Sequence, residues 1–513
     1  MATIPNSQNF PQFSQADIIS EMKKVSNIDI SDFRFYPAIQ NRPNEIIKIE
    51  SEENGIVLTF GTVARKALLS YTHETSLHLY KPADATVDTL YLHINIWTDD
   101  IFRVVFSKEK KISNPFSGLP ENARMLIAKP EKVEFTLDET ENKITLTTSK
   151  TEITVDKKTT RISAKFIDGK EFYSQKKQDF RTGDIHDLAL ADSDNDYACF
   201  EALELESDEI IYGLGERFDS LTRNGRTVDF HNKDAVGTTS RRAYINIPFY
   251  LSTKGYGLFL NSGAKTDWQI ATTDLSALQF AVLDSQLDYF VIGGKTPKDI
   301  IKGYCSLTGF SKLPPLWSFG LWMSRNSYVS WDVVDDIAKK VRENDIPCDV
   351  LHLDTAWFNR DWNCDLKFSE ERFPNPEENI DRYKKDGFKI SLWQYNFIPP
   401  NDDNEHYHEA VKYGYLSKDK DGNPYQLPET CQGSWVKDVT IDFSNPDACK
   451  WYADKIKELI KLGACAIKTD FGEGIAEDAV YQNIDGKHFH NLYSLVYNGV
   501  VFDATKSVSG ENI

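Results

Sequence analysis

Two charged side chains near the end of the chain have the types and spacing for chemistry at carbon. Lys468 and Asp470 lie two residues apart in Ala464–Glu473 (ACAIKTDFGE), so they project from the same face of a strand. A neighbouring cation favours the ionised carboxylate, which can attack carbon or accept a proton. The same pattern also fits a structural ion pair that closes a strand end, and the spacing does not separate the two interpretations.

A second carboxylate stands in a matching position. Asp354 ends the apolar segment Cys348–Asp354 (CDVLHLD), much as Asp470 ends its own segment. In an α/β barrel the C-terminal tips of the strands share one rim, so both carboxylates could line one pocket. Two carboxylates about 5 to 5.5 Å apart are the acid and nucleophile of a retaining glycosidase.

The elements that must position these residues alternate between strand and helix from residue 296 onward. Predicted strands are Trp317–Ser324, Cys348–Asp354, Phe388–Gln394, Val439–Phe443 and Ala464–Glu473. Predicted helices are Thr296–Tyr304, Trp331–Asn344, Glu377–Asp386, His406–Tyr413, Asn445–Leu462 and His490–Ala504. This alternation predicts a parallel sheet flanked by helices.

The preceding part of the chain has a different pattern. Short alternating segments with turn residues between them run from Ile46 to Leu287 and predict an all-β sandwich. Its polar loop, residues 223–240, is the candidate functional insertion. We therefore predict two domains, residues 1–295 and residues 296–513.

Composition limits the classes of partner. The 513 residues are too many for one ordinary domain, and the net charge of −19 disfavours nucleic acid and anionic membranes. The seven cysteines form no CxxC pair and no metal-ligand spacing. No signal-peptide pattern and no apolar run of about 18 residues occurs, so a cytoplasmic location is predicted.

Three groups of motifs resemble glycoside hydrolase family 31, in its α-xylosidase branch. IKTDFGE, with DFSNPDACKWY before it, resembles the nucleophile region of that family, and HLDTAWFNRDWNCDLKFSEERFPNP resembles its second-strand region. YGLGERF, RNGRTV and NIPFY resemble its N-terminal domain. The resemblance covers most of residues 200–505. It implies a galactose-mutarotase-like β-sandwich followed by a (β/α)₈ barrel, of which about four strand-helix units can be counted, so the barrel is expected to be partial.

The resemblance also implies roles for individual residues. Asp470 corresponds to the catalytic nucleophile, Asp354 to a residue that binds sugar hydroxyls rather than to the acid, and Asp234 to a loop residue offered to the bound sugar. The other expected substrate-binding residues are Lys468, Trp393, Thr355 and Trp322. Each of the two tryptophans could stack a sugar or pack in the rim. Thr355 and Ala356 are smaller than the bulky residues of the α-xylosidase branch.

The implied function is a retaining, exo-acting α-xylosidase that acts on small oligosaccharides or aryl α-glycosides. An α-glucosidase or α-galactosidase of the same family, and a sugar-binding fragment without turnover, are alternatives. No cofactor or metal is implied, and a homo-oligomer of a full-length form is left open. The family's general acid has no counterpart before residue 513, so we expect this chain alone to be an inactive fragment.

Overall fold

The computed structural model describes residues 38–68, 79–114, 116–120, 124–176, 188–193, 196–235, 241–427 and 437–510. The strands are β1 Ile39–Glu52, β2 Gly55–Leu68, β3 Leu79–Ala83, β4 Thr89–Thr98, β5 Ile101–Ser107, β6 Thr136–Glu139, β7 Lys143–Thr147, β8 Thr151–Asp156, β9 Ile162–Phe166, β10 Glu171–Ser174, β11 Ala189–Ser193, β12 Asp196–Glu204, β13 Ile211–Gly213, β14 Arg226–Phe230, β15 Phe249–Ser252, β16 Tyr256–Leu260, β17 Thr266–Ile270, β18 Ala277–Val282, β19 Gln286–Gly293, β20 Trp322–Met323, β21 Val350–Leu353, β22 Lys389–Tyr395, β23 Phe397–Ile398, β24 Val439–Thr440 and β25 Ala466–Asp470. The helices are α1 Pro297–Thr308, α2 Trp331–Glu343, α3 Pro376–Lys385, α4 Glu405–Tyr413, α5 Pro446–Lys461, α6 Gly486–Phe489 and α7 Tyr493–Ser509.

Strands β1 to β19 form two antiparallel sheets that pack on each other. Within the described ranges the larger sheet has the order β13-β15-β16-β19-β5-β4-β2-β1-β11-β12-β18-β17-β14, with β3 beside β2, and the smaller has the order β10-β9-β8-β7-β6. Buried residues alternate with partly exposed ones along β8, as expected for a strand with one face on a core. Ile153 and Ile94, from different sheets, share one buried cluster, and Phe102 lies edge-on to Tyr173 at 5.7 Å. The predicted β-sandwich is confirmed.

Helix α1 covers part of the larger sheet. Ile300 on this helix packs with Phe290 on β19. A capping box between Thr296 and Asp299, with Pro297 at the first helical position, begins the helix where the sequence pattern changes. The predicted boundary at residues 295 and 296 falls between β19 and α1, and it stays a prediction.

The second half of the chain contains a parallel sheet. Strands β20, β21, β22 and β25 are adjacent in that order and all run parallel. The residues that α2 buries, Trp331, Val334, Ala338 and Val341, recur at helical spacing. In the described part the sheet has four parallel strands, half the number in a (β/α)₈ barrel, which agrees with the predicted partial barrel.

Three predicted elements differ from the observed ones. Of Trp317–Ser324 only β20 is a strand, because a 3₁₀ turn, Leu316–Phe319, follows Pro315. Of Val439–Phe443 only β24 is a strand, and it pairs antiparallel with β23 outside the parallel sheet. The final helix begins at Tyr493, because α6 comes first and His490 ends it.

Two further observations concern the predicted location. No helix among the described residues has both the length and the apolar character needed to cross a membrane. Cys199 and Cys348 are buried and unpaired, and burial raises the pKa of the Cys199 thiol well above its usual value. A cytoplasmic location stays a prediction.

Candidate functional site

Four of the predicted site residues meet where β21, β22 and β25 end. The register of the parallel sheet pairs Trp393 with Lys468, and Asp354 directly follows β21. Lys468 Nζ lies 3.4 Å from Asp470 Oδ2 and 3.7 Å from Asp354 Oδ2. Trp393 Nε1 donates a 2.7 Å hydrogen bond to the same Asp470 oxygen. Lys468 and Asp470 therefore lie on the same face of the strand, as their two-residue spacing predicts.

Asp354 is held as a carboxylate. Burial opposes its ionisation, but the His352 hydrogen bond, the backbone N–H of Thr355 and the Lys468 charge outweigh burial and lower the pKa of Asp354. Thr355 N donates to Oδ1 at 3.0 Å, while His352 Nε2 lies 3.3 Å from Oδ2. A fixed, ionised acceptor of this kind can bind sugar hydroxyl groups.

His352 is a site residue that the sequence interpretation missed. It is buried, and its Nδ1 lies 3.0 Å from Ser391 Oγ on the neighbouring strand. Because Asp354 only accepts, Nε2 of a neutral His352 carries the proton and Nδ1 accepts from the Ser391 hydroxyl. The i, i+2 spacing of His352 and Asp354 in HLD was the available signal, since it places both side chains on one face of a strand.

Thr355 and Trp322 have different environments. Thr355 is buried in the short 3₁₀ turn after Asp354, and its Oγ1 lies 2.8 Å from Ser327 Oγ.

Trp322 pairs with Val350, four residues before Asp354, which corresponds to about 13 Å along a strand. Its Nε1 donates to Ser318 O at 3.0 Å. The strand register thus places Trp322 away from the carboxylates.

Trp393 is packed beneath the carboxylates. Only 1% of it is exposed, and its ring centroid lies 5.1 Å from that of Trp362 and 5.0 Å from that of Tyr395. Its backbone carbonyl accepts a 2.8 Å hydrogen bond from Trp357 Nε1. Of the two alternatives for Trp393, packing in the rim is the one observed, with its N–H directed at Asp470.

The sandwich loop that carries Asp234 is attached to the segment after β25. Asn232 N donates to Asn491 Oδ1 at 2.9 Å, and Asn232 Nδ2 donates to Asn491 O at 3.2 Å. His490 Nε2 lies 2.8 Å from Asn232 O, and His231 Nε2 lies 2.8 Å from Glu477 Oε1. We call these contacts the loop clamp. Residues 236–240 of the predicted loop lie outside the described residues.

Asp234 itself is half-buried at the end of this clamped segment. Its Oδ1 accepts a 2.8 Å hydrogen bond from the hydroxyl of Tyr244. The loop clamp holds the segment that carries Asp234 against residues 477–491, which follow β25. This proximity between the two halves of the chain was expected only through the family resemblance.

The turn after Asp470 has an unusual backbone. Phe471 has a φ of 57° and Gly472 a φ of 109°, both in the left-handed region. A Cβ at Gly472 would also lie 2.8 Å from Ser494 Oγ on α7. The turn places Glu473 in a buried position, where burial and the charges of Asp234 and Asp470 raise its pKa to about 7.

One group of side chains has the residue types of a metal site. Potential ligand atoms of His231, Glu477 and His490 lie within 4.8 Å of one another. The two imidazole rings are stacked at 4.0 Å with an interplanar angle of 4°, so their in-plane lone pairs cannot converge on one ion. The nitrogens of His490 also face the carbonyls of Ile475 and Asn232 at 2.8 Å. This cluster fits the loop clamp better than a metal ion.

A β-sandwich joined to parallel barrel strands, with two carboxylates at the strand tips, is an arrangement that glycoside hydrolases use. Residues 311–512 match the family described as "Glycosyl hydrolases family 31 TIM-barrel domain", and residues 91–268 match "Glycosyl hydrolase 31 N-terminal galactose mutarotase-like domain". The chain belongs to glycoside hydrolase family 31, a family that contains α-xylosidases and α-glucosidases.

Individual relatives agree with this assignment. The chain is 37% identical to the α-xylosidase XylQ of Lactiplantibacillus pentosus over 314 residues, which are 60% of this chain and 40% of that protein. It is 28% identical to α-glucosidase 2 of Bacillus thermoamyloliquefaciens over 442 residues, 82% of this chain and 53% of that protein. The chain thus spans about two-fifths to one-half of the length of these relatives.

A solved structure shows the same fold. The dextranase of family 31 from Flavobacterium johnsoniae, a mutant in complex with isomaltotriose, superposes with a TM-score of 0.75 at 20% sequence identity. The superposition covers 91% of this chain and 53% of that one. At this identity the likeness concerns the fold.

Proposed function

We propose that this chain carries the nucleophile side of the active site of a retaining α-glycosidase, with Asp470 as the nucleophile. The observation that carries the proposal is the double contact on one oxygen: Trp393 and Lys468 both approach Asp470 Oδ2. Among the described residues none donates a hydrogen bond to Oδ1, which leaves that oxygen for attack. The two contacts fix the orientation of the carboxylate.

The proposed reaction has two displacements. Asp470 Oδ1 attacks the anomeric carbon, the bond from this carbon to the aglycone oxygen breaks, and a proton donor protonates that oxygen. Water then attacks the anomeric carbon and gives its proton to the same donor group, and the bond to Asp470 breaks. The product keeps its anomeric configuration and Asp470 returns to a carboxylate.

Asp354 is proposed to bind sugar hydroxyls. Its two oxygens already accept from Thr355 and His352, so the carboxylate has a fixed orientation. Asp234 is proposed as a second hydroxyl acceptor, delivered by the loop clamp. In this arrangement Thr355 lines the pocket floor, and Lys468 connects the binding carboxylate to the nucleophile.

The proposed sugar is α-linked xylose. The 37% identity to a protein named as an α-xylosidase supports this choice. The small, buried pair Thr355 and Ala356 favours the alternative of an α-glucosidase or α-galactosidase, since small residues leave room for a hydroxymethyl group. A direct comparison of the three sugars decides between them.

The proton donor is proposed to lie outside the described residues. Asp478 accepts a 2.7 Å hydrogen bond from Tyr425, and Asp485 pairs with His488 at 2.6 Å, so both acids have partners of their own. Loss of a general acid costs roughly 10²- to 10⁴-fold in rate. A chain that lacks this donor should hydrolyse aryl α-xylosides slowly.

A test that does not need the acid separates the nucleophile from the rest of the mechanism. The chain is incubated with 2-fluoro-α-xylosyl fluoride, whose fluoride leaves without protonation, and with the matching glucosyl and galactosyl fluorides. Mass mapping should place a covalent 2-fluoroxylosyl group on Asp470, and the Asp470→Asn variant should remain unlabelled. A label on Asp354 or Glu473, or labelling by none of the three sugars, would contradict the proposal and favour a sugar-binding module.

A further inference from the structure

A small cavity outside the proposed active site has a basic lining. It has a volume of about 250 Å³ and lies between the larger sheet of the sandwich and the segment that joins β5 to β6. Arg103, Arg124 and Lys129 line it, and no described acidic side chain does. The whole chain carries a net charge of −19, so a basic cavity runs against its overall field and favours an anionic occupant.

Asp288 on β19 fixes one wall of this cavity. Arg103 donates to both carboxylate oxygens, with Nε 2.7 Å from Oδ1 and Nη2 2.7 Å from Oδ2. Asn261 Nδ2 donates to the same Oδ2 at 2.8 Å, and the backbone N–H of Asn261 donates to Asp288 O at 2.8 Å. The charge of Asp288 therefore balances that of Arg103. Nη1 of Arg103 makes no hydrogen bond to a described residue, so it remains a donor for an occupant.

The opposite wall comes from the segment that joins β5 to β6, and the sandwich holds this segment in place. The backbone N–H of Ser113 donates to Gln286 Oε1 at 2.8 Å, and Gln286 Nε2 donates back to Ser113 O at 3.1 Å. The backbone N–H of Ile127 donates to Leu307 O, on α1, at 3.0 Å. Both walls are thus formed before any ligand arrives, which lowers the entropic cost of binding.

Two cations on the second wall have no acidic partner. Neither Arg124 nor Lys129 forms an ion pair with a described residue. Arg124 Nη2 lies 3.4 Å from Leu119 O, and Arg124 Nε is buried without a hydrogen bond among the described residues. A buried guanidinium N–H without an acceptor costs free energy, and an anion in the cavity offsets that cost. The two unbalanced charges match the charge of about −1.5 to −2 on a phosphate group.

An unpaired acceptor on the first wall is a second, independent feature. Asn261 is 4% exposed, and its Oδ1 is buried without a hydrogen-bond partner among the described residues. The contact from Nδ2 to Asp288 fixes which side of the amide this oxygen occupies. A buried acceptor requires a donor, and a hydroxyl group of an occupant supplies one. The occupant therefore carries a hydroxyl group as well as an anionic group.

We propose that this cavity binds a small phosphate-bearing molecule. Arg124, Lys129 and Nη1 of Arg103 contact the phosphate oxygens, while Asn261 Oδ1 accepts a hydrogen bond from a hydroxyl group of the ligand. That hydroxyl is the P–OH of free phosphate or a sugar hydroxyl of a phosphate ester. The volume is below the about 300–1,000 Å³ of pockets for drug-sized ligands, so the ligand is small. The site is separate from the proposed glycosidase function, because it shares no residue with the carboxylate cluster.

The first experiment compares inorganic phosphate with sulfate by calorimetric titration of the chain at pH 7.5 and constant ionic strength. Both anions are tetrahedral, but only phosphate keeps an O–H at this pH that can donate to Asn261 Oδ1. Phosphate should bind at least about tenfold more tightly than sulfate, because a site built for a hydrogen bond rejects an analogue that lacks it. Equal binding of the two anions would overturn the proposed ligand.

A third titrant, glucose 6-phosphate, identifies the source of the hydroxyl group. Tighter binding of glucose 6-phosphate than of inorganic phosphate assigns the site to a phosphate ester. Equal or weaker binding assigns the site to free phosphate. Absence of binding by both at about 10 mM, where even a Kd of 1 mM would be detected, would overturn the proposal.

The variants Arg124→Gln and Lys129→Gln test the two unpaired cations. Affinity for the tighter phosphate ligand should fall about 10- to 100-fold in Arg124→Gln, and about 3- to 10-fold in the more exposed Lys129→Gln. Lys129 is exposed, so its replacement keeps the test valid even if Arg124→Gln does not fold. The matched control is Lys158→Gln, because Lys158 is exposed in the turn between β8 and β9 and forms no ion pair with a described residue. Equal losses in Lys129→Gln and Lys158→Gln would reveal a general charge effect and overturn the site.

Discussion

The indole N–H of Trp393 lies 2.7 Å from Oδ2 of Asp470, across two neighbouring parallel strands. The indole is itself fixed, since it is buried among aromatic rings and Trp357 donates to its backbone carbonyl. A donor on so rigid a support can select one rotamer of the carboxylate. The buried aromatic layer therefore controls the orientation of the proposed nucleophile.

The first prediction concerns this hydrogen bond. Trp393→Phe keeps an aromatic ring but removes the donor, and hydrogen bonds to charged groups contribute about 1.5–3 kcal/mol. We expect the rate of covalent labelling by 2-fluoro-α-xylosyl fluoride to fall by about 10- to 100-fold. Trp357→Phe, which removes a bond to the backbone of Trp393 instead, is the control and should have a smaller effect. Equal effects would assign Trp393 a packing role.

The second prediction concerns the two proposed hydroxyl acceptors. Asp354→Asn removes the charge of an acceptor with a lowered pKa, so affinity for xylose should fall by about 1.5–3 kcal/mol. Asp234→Asn should reduce the affinity for xylose by less, because Asp234 lies on a partly exposed loop. Calorimetric titration of both variants at pH 6 measures the difference. Unchanged affinity in both would leave neither residue with a binding role.

The third prediction concerns a contact between the sandwich and the segment after β25. His488 Nε2 lies 3.1 Å from Asp284 Oδ2, and His488 Nδ1 lies 2.6 Å from Asp485 Oδ2. Burial opposes the positive charge of the imidazole, but the two carboxylates outweigh burial and raise the pKa of His488 to about 10. The pKa of His488 in the unfolded chain is near 6.5. The stabilisation from its charge is therefore complete below pH 6.5 and is lost as the pH rises through 10.

His488→Gln should therefore destabilise the chain on the order of 1.5–3 kcal/mol at pH 6 and much less at pH 10. Denaturant unfolding at the two pH values measures the difference. His408→Gln is the control and should show no such trend, because this exposed histidine lies 2.9 Å from the Asp402 carbonyl and beside the Tyr407 ring rather than between two acids. A constant cost at both pH values for His488→Gln would show that its charge is not involved.

The fourth prediction concerns the loop clamp. Asn491 accepts from Asn232 N at 2.9 Å and donates to Gly263 O at 3.2 Å, so one side chain fastens two sandwich segments. Asn491→Ala should speed amide exchange at Asn232 by about 5- to 30-fold, equivalent to 1–2 kcal/mol. Asn498→Ala, on α7 and bonded to Ser494 O, should leave that amide unchanged. Mass-resolved hydrogen exchange reports both.

The sequence by itself determined the main architecture and the shared face of Lys468 and Asp470. Alternating polarity predicted the sandwich, and alternating strand and helix patterns predicted the parallel strands, because both are local periodicities of the backbone. The two-residue spacing of Lys468 and Asp470 likewise placed both side chains on one face. These features could be predicted since they depend on residues close together in the chain.

Only the tertiary structure decided what depends on distant residues. The packing of Trp393 beneath Asp470, the placement of Trp322 away from the rim and the pairing of His352 with Ser391 all follow from strand register and length. The raised pKa of Glu473 follows from burial and from the charges of Asp234 and Asp470, the first of them 239 positions earlier in the chain. Ionisation depends on the dielectric environment and on neighbouring charges, and folding alone sets both.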